Sequence, residues 1–402
     1  MATRQVGIPV NAPGLPYPQF DFGVPHVDSG PVSFGVLGTF PPTRCGLATF
    51  SAALSDGLCA NGAEVGVVQV ADGAPASDPR VAGQLVNGSP PSIAECVNLL
   101  NERGVAIIQH DYGIYGGTDG DELVDIVEGL RVPSIVVAHA ILKNPSAHQR
   151  SVFEAIAAAT DQIVVMSATA RQRLDTGFDI DHRKITTIPH GATVPTRIGP
   201  SVRFGRPTML TWGLLGPGKG VERVVEVMGS LRDLPGRPRY LIVGRTHPKV
   251  LAGSGEAYRE AVAAQAQRIG VADSVAFDPN YHGAASLTAL VQSAAVIVLP
   301  YDSTDQVTSG VLVDAIASGR PVVATAFPHA VELLEGGAGI VVDHDSPDAL
   351  ASALRRVLTE PRLAGAMAAE ARRLAPTMAW SVVARAYLGL ARRLVADRRA
   401  LI

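Results

Sequence analysis

From Ser33 onward, short runs of aliphatic and β-branched residues recur at intervals that leave room for a helix between them. In the first half these runs are SFGVLGTF (33–40), EVGVVQV (64–70), VAIIQH (105–110), SIVVAHA (134–140), QIVVMS (162–167) and KITTIP (184–189). Strict apolar/polar alternation is largely missing from them, so both faces of each strand are expected to be covered, as in parallel sheets flanked by helices. Between the first two runs, Gly46 to Ala60 places Leu47, Phe50, Leu54 and Leu58 three or four residues apart, one stripe of an amphipathic helix. Beyond Gly191 the chain passes through PTRIGPSVRFGRP, where Pro and Gly interrupt both periods, and the alternation then restarts with TMLTW, YLIVG, SVAF, VIVLP, PVVAT and GIVV. Helical sequence follows from Pro347 to Ala375, Pro376 breaks it, and a terminal helix starts at Trp380. The pattern predicts an α/β fold of two Rossmann-like, doubly wound domains facing a cleft. The expected divisions are a Pro/Gly-rich leader over 1–32, a first domain over 33–195, a second over 203–376 and the terminal helix over 377–402.

A chain of 402 residues is too long for one ordinary core, which agrees with two domains. Its 47% hydrophobic and 18% charged residues describe a well-packed globule, and a net charge of −3 gives no electrostatic reason to expect nucleic acid. Cys45, Cys59 and Cys96 are odd in number and lack metal-ligand spacing, so reduced thiols, no disulfide and a cytoplasmic location are expected. No run approaches the roughly 18 to 20 apolar residues of a membrane span, and the first residues lack the basic start and apolar core of a secretory signal. Nothing in the pattern sets an oligomeric state.

Four loops that leave strands carry the unusual residues, and all are expected to face one crevice. In FPPTRCGLATF, Gly46 stands between strand and helix, where backbone N–H groups can approach a phosphate or sugar. In QHDYGIYGGTDGDEL, His110 and Tyr112 leave a strand while Gly116 and Gly117 shape a loop, a density of polar groups suited to a hydroxyl-rich acceptor. His139 ends the strand SIVVAHA. In TWGLLGPGKGVERVVEVM, Gly216, Gly218 and Gly220 surround Lys219 ahead of a helix, a phosphate cradle that lacks the Ser/Thr and spacing of a P-loop. Last, QVTSGVLVDAIASGRPVVAT places Thr308, Ser309 and Gly310 at a helix N-terminus suited to a diphosphate, with Asp314 about one turn further on, positioned for a ribose diol.

Taken in order, FPPTRCGLATF, QHDYGIYGG, GLLGPGKG, Arg245-Thr246-His247-Pro248 and QVTSGVLVDAIASGRPVVAT resemble the loops of the retaining GT-B glycosyltransferases of family 4. The resemblance spans nearly all of Ser33 to Trp380. It is nearest to a bacterial subgroup that reads FPPxxCGIATF, QHEYGIFGG, GLLSPGKG, THP and QxTSGTLAYALGAGKAVVST. It implies a GT-B fold whose terminal helix crosses back onto the first domain. It also implies metal-independent transfer of a hexosyl group, with retention, from a nucleoside-diphosphate sugar of the GDP-mannose or UDP-glucose type. The acceptor would be a hydroxyl of a soluble saccharide or metabolite, with no cofactor beyond the donor substrate.

By the same resemblance, Lys219, His139 and Gln306 are the expected catalytic residues. Gly46, Gly218, Thr308, Ser309, Gly310, Asp314 and Arg245 would bind donor, and His110, Tyr112, Gly116 and Gly117 acceptor. The family places two glutamates eight positions apart where this chain has Gln306 and Asp314, and an arginine where it has Leu214. Lys219 would then hold the leaving group alone or share it with Arg44 or Arg245, and the base would sit near Phe277 to Tyr281. These departures keep two rivals open: a nucleotide-sugar binder with attenuated catalysis, and a GT-B pseudo-glycosyltransferase or epimerase.

Overall fold

A computed structural model describes residues 32–73, 75–196 and 205–400. The leader expected over residues 1–32, apart from Val32, and most of the Pro/Gly-rich connector lie outside the described residues. The first domain holds β1 (Ser33–Gly38), β2 (Glu64–Val70), β3 (Val81–Leu85), β4 (Val105–His110), β5 (Ser134–Ala138), β6 (Gln162–Val165) and β7 (Ile185–Thr187). The second holds β8 (Thr208–Trp212), β9 (Arg239–Val243), β10 (Val275–Asp278), β11 (Val296–Leu299), β12 (Val322–Thr325) and β13 (Gly339–Val342). The two sheets run β3-β2-β1-β4-β5-β6-β7 and β10-β9-β8-β11-β12-β13, and every pairing is parallel. In each sheet the order reverses beside the first strand, between β1 and β4 and between β8 and β11. Loops leaving those four strands diverge there and open a crevice at the carboxyl ends.

Helices cover both faces because the central strands are apolar on both. Phe34, Val36, Ile107 and Val137 pack under the helix Gly46–Ala60, while Leu37, Ile108 and Val136 face the opposite layer with Leu100 and Leu123. The terminal helix Trp380–Ala400 crosses back to the first domain, and its Val383, Ala384, Tyr387 and Leu390 join the core beneath Gly46–Ala60. That approach is close: a Cβ on Gly57 would lie 2.8 Å from the carbonyl of Trp380.

Two elements differ from the sequence expectation. β3 was not expected, because VAGQL has no apolar run; it is an edge strand with one fully buried residue, Leu85. The helical stretch from Pro347 is two helices, Pro347–Thr359 and Pro361–Leu374, because Pro361 cannot donate to the first and sits instead at the start of the second.

The domains meet along a polar seam. Glu332, in the helix Pro328–Leu334, accepts from the backbone N–H groups of Ala168 and Thr169 at 2.8 and 3.0 Å and from the Thr169 hydroxyl at 3.0 Å. These groups open the helix Ala168–Gly177 of the first domain, so a carboxylate from one domain caps a helix of the other. Arg173, on the same helix, donates to the carbonyls of Ile141 and Asp305, both at 2.8 Å, and pairs with the Asp305 carboxylate. Val307, two residues on, is buried among Ile141, Phe153 and Leu174 of the first domain.

Candidate active site

The loop after β8 is built by its glycines. Gly220 has φ +66°, and a Cβ there would lie 1.7 Å from the carbonyl of Pro300, so only glycine admits this approach to the loop after β11. The Asp302 N–H donates to the carbonyl of Gly218 at 3.0 Å and fastens the two loops together. Lys219 is held between them with its ammonium 4.4 Å from the centre of the Tyr301 ring, a cation–π contact. No carboxylate pairs with it among the described residues. A Cβ on Gly213 would lie 3.2 Å from Lys219 Nζ and 3.9 Å from Val311 Cγ2, so the ammonium and the first turn of the helix Gly310–Ala317 flank one point. A cavity of about 420 Å³ opens here, lined by Leu214, Gly218, Lys219, His247, Lys249, Tyr301 and Gln306.

The helix tip is only partly as expected. Ser309 is its N-cap: its hydroxyl accepts from the Leu312 N–H at 3.3 Å, while its own N–H donates to His329 Nδ1 at 2.9 Å. The Ser309 amide is therefore committed inside the protein, a correction to its expected role as a diphosphate donor. The N–H groups of Gly310 and Val311 have no acceptor among the described residues. Thr308 Oγ1 is buried without a partner, and the carbonyl of Thr308 accepts from Gln306 Nε2 at 3.0 Å. Asp314 is half-buried, and burial pushes its pKa up to about 7. No donor meets its carboxyl among the described residues.

On the first-domain side, Gly46 lies in open space at the start of its helix. His139 is half-buried, its ring edge-on to Phe50 at 4.7 Å, and its Nε2 lies 2.6 Å from Gln109 Oε1. Burial, with smaller contributions from His190 and His110, lowers its pKa to about 3. His110 is 1% exposed, with burial lowering its pKa to about 4, and it packs against Tyr112 and Phe153. Burial likewise raises Tyr112 to about 12. Gly116 and Gly117 serve packing: a Cβ on either would fall within 2 Å of the Glu122 or Asp121 carboxylate.

Neither Arg44 nor Arg245, the basic residues expected to share the leaving group, lines this cavity. Arg44 lies over the Tyr281 ring at 5.7 Å, beside a 3.5 Å contact between the Thr49 and Tyr281 hydroxyls, so the region expected to hold the base touches the first domain. Arg245 is exposed and off the cavity wall, whereas His247 and Lys249, which sequence reasoning passed over, are on it. Lys249 Nζ would lie 3.7 Å from a Cβ on Gly113, so it reaches towards the loop after β4.

Residues 206–360, which hold the β8 loop and the helix tip, match the profile of the family described as glycosyl transferases group 1. The match lies within the second domain of the chain. This domain supplies Lys219, the Gly310 helix tip and Asp314. Over a longer stretch the chain is 29% identical to a D-inositol 3-phosphate glycosyltransferase of Kineococcus radiotolerans, across 60% of this chain and 59% of that protein. It is 34% identical to the one of Streptomyces griseus across 37% of this chain and 31% of that one. The chain thus spans less than two thirds of the length of these relatives. In fold it matches the sucrose-phosphate synthase of Thermosynechococcus elongatus with a TM-score of 0.71 at 18% identity, covering 91% of this chain and all of that one. The Anabaena protein HepE in complex with UDP and glucose matches with a TM-score of 0.68 at 15% identity, over 92% and 100% of the two chains. The fold is GT-B.

Around the domain's site, sequence reasoning missed His190 and His329. His190 Nε2 would lie 2.8 Å from a Cβ on Gly310, which explains why the helix opens on glycine, and burial lowers its pKa to about 4. A lone histidine after a short strand gave no signal of that contact. Among the described residues no group of three or more His, Cys, Asp or Glu could hold a metal ion, and no helix is long and apolar enough to cross a membrane.

Proposed function

We propose that the protein transfers a hexosyl group from a nucleoside-diphosphate sugar to a hydroxyl, with retention at the anomeric carbon and without a metal ion. The observation that carries this reading is an ammonium, Lys219, on the wall of a cavity at the β8/β11 reversal and close to the first turn of the helix Gly310–Ala317; among the described residues it has no carboxylate partner, and the Gly310 and Val311 amides have no acceptor. As the glycosidic bond lengthens, negative charge grows on the departing diphosphate while the sugar becomes cation-like. A fixed ammonium and a positive helix end stabilise the first of these. The ribose diol donates to the otherwise unsatisfied Asp314 carboxylate. Lys249 and His247 take the place along the cavity that Arg44 and Arg245 were expected to fill.

No strong base is required, because the leaving phosphate can take the acceptor's proton on the same face of the sugar. Gln306 then serves as a neutral hydrogen-bonding group beside the transferred sugar. The complex of the fold relative HepE with UDP and glucose supports a nucleotide-sugar donor, and the D-inositol 3-phosphate glycosyltransferases among the sequence relatives support a small polyol acceptor. Gln306, whose amide is engaged by the Thr308 carbonyl, favours one second reading, a donor binder that transfers slowly. A thermal-shift screen with UDP-glucose and GDP-mannose, followed by mass spectrometry of products with polyol acceptors, tests both. Stabilisation with a new glycoside supports transfer, stabilisation without one supports the binder, and no stabilisation by any nucleotide sugar removes both.

A further inference from the structure

We infer that two buried glutamines, Gln69 and Gln109, fix His139 in a single tautomer, with Nε2 protonated and Nδ1 presented to the cleft as a hydrogen-bond acceptor. Gln69 and Gln109 are the next-to-last residues of β2 and β4, and both are 0% exposed, an uncommon burial for this side chain. Each stands two residues beyond a core residue, Val67 or Ile107, and therefore points to the face that Gly46–Ala60 covers. His139 stands two beyond Val137 on the same face. Between the glutamines lies Gly38 of β1, paired with Gln69, and a Cβ there would fall 2.8 Å from Gln109 Cγ. The missing side chain at position 38 gives Gln109 its place.

The orientation of the row follows from one carbonyl. The Phe40 carbonyl can only accept, and a side-chain nitrogen of Gln69 meets it at 3.2 Å, so Gln69 turns its oxygen the other way. That oxygen and Gln109 Nε2 are both buried with no hydrogen-bond partner, each other included, an acceptor and a donor on either side of Gly38. Turning the Gln109 amide over would set two oxygens against each other across the glycine. With Gln109 Nε2 towards Gln69, Gln109 Oε1 faces His139 Nε2 at 2.6 Å, and that nitrogen must carry the proton. Its Nδ1 has no protein partner and is not shut off from the surface.

Gln69 and Gln109 are thus positioning residues that act through His139. A neutral imidazole held this way accepts from a hydroxyl and cannot donate at the cleft. That the hydroxyl belongs to a sugar rests on the glycosyl-transfer reading; the tautomer does not.

The test is long-range proton–nitrogen NMR of protein carrying 15N-histidine at pH 7.5 without ligand, with His139 identified by the signal lost in His139→Gln. The expected spectrum is a protonated Nε2 and a bare Nδ1, and Gln109→Met, which keeps the volume, is expected to convert it to a mixture. Gln69→Met should do the same more weakly. A wild-type spectrum with Nδ1 protonated, or one left unchanged by Gln109→Met, overturns the inference even if nucleotide sugars bind and react.

Discussion

At Lys219 the sequence and the structure meet most directly. Its neighbours Gly218 and Gly220, with φ +90° and +66°, bend the loop so that one long side chain reaches the reversal point of the sheet with no acid to neutralise it among the described residues. Lys219→Met should lower turnover of a nucleotide sugar at least tenfold, roughly 1.4 kcal/mol of barrier, as read from initial rates. Turnover within twofold of wild type would mean that the charge is idle. Asp314 supplies a second expectation. Its pKa in the folded protein is raised from 3.8 to about 7, so between those values the folded protein keeps a proton that the unfolded chain has released. Its contribution to stability therefore falls as pH rises through that window. Asp314→Asn should be more stable than wild type at pH 8, with the difference shrinking towards pH 4 in urea melts. A difference that does not vary with pH would contradict a carboxyl left unsatisfied by the protein.

The elements were mostly legible because the chain alternates two periods cleanly. Twelve of the strands follow from runs such as VAIIQH, whereas β3 hides because an edge strand needs only Leu85 to be apolar. The helix tip at 309–310 was legible as a place but not in its bonding. Which backbone N–H groups remain free depends on His329, twenty residues away, and no local pattern reports that. His247 and Lys249 escaped for a similar reason: THPK reads as a turn, and only the fold brings it onto the cavity wall. The β8 loop itself is testable as an element. Gly220→Ala forces a side chain into the Pro300 carbonyl and an unfavourable left-handed backbone, and should destabilise by about 1–3 kcal/mol while weakening nucleotide binding. Unchanged denaturation midpoint and affinity would show that the loop relaxes freely.

Across the molecule, the seam and the buried histidines set what the two domains can do together. Glu332 caps a helix of the opposite domain, so Glu332→Ala should cost about 1–2 kcal/mol and increase the radius of gyration in small-angle scattering; identical scattering would show that the seam does not hold the domains. Burial holds the pKa values of His110 and His329 near 4 and 3, well below the ordinary 6.5. The unfolded chain takes up protons at these sites below pH 6.5 while the folded protein does not. The stability they support is complete above pH 6.5 and is lost as pH falls towards 4 and 3. With His139 and His190 shifted the same way, they outweigh the opposite trend of Asp314, and the denaturation midpoint should drop between pH 7 and pH 5.

The central claim is the diphosphate seat at the β8/β11 reversal, and a crystal structure with UDP or GDP tests it most directly. The account predicts the β-phosphate in contact with Lys219 Nζ and the N–H groups of Gly310 and Val311, with the ribose on Asp314. A diphosphate bound away from that helix tip, with the ammonium turned to solvent, would contradict it.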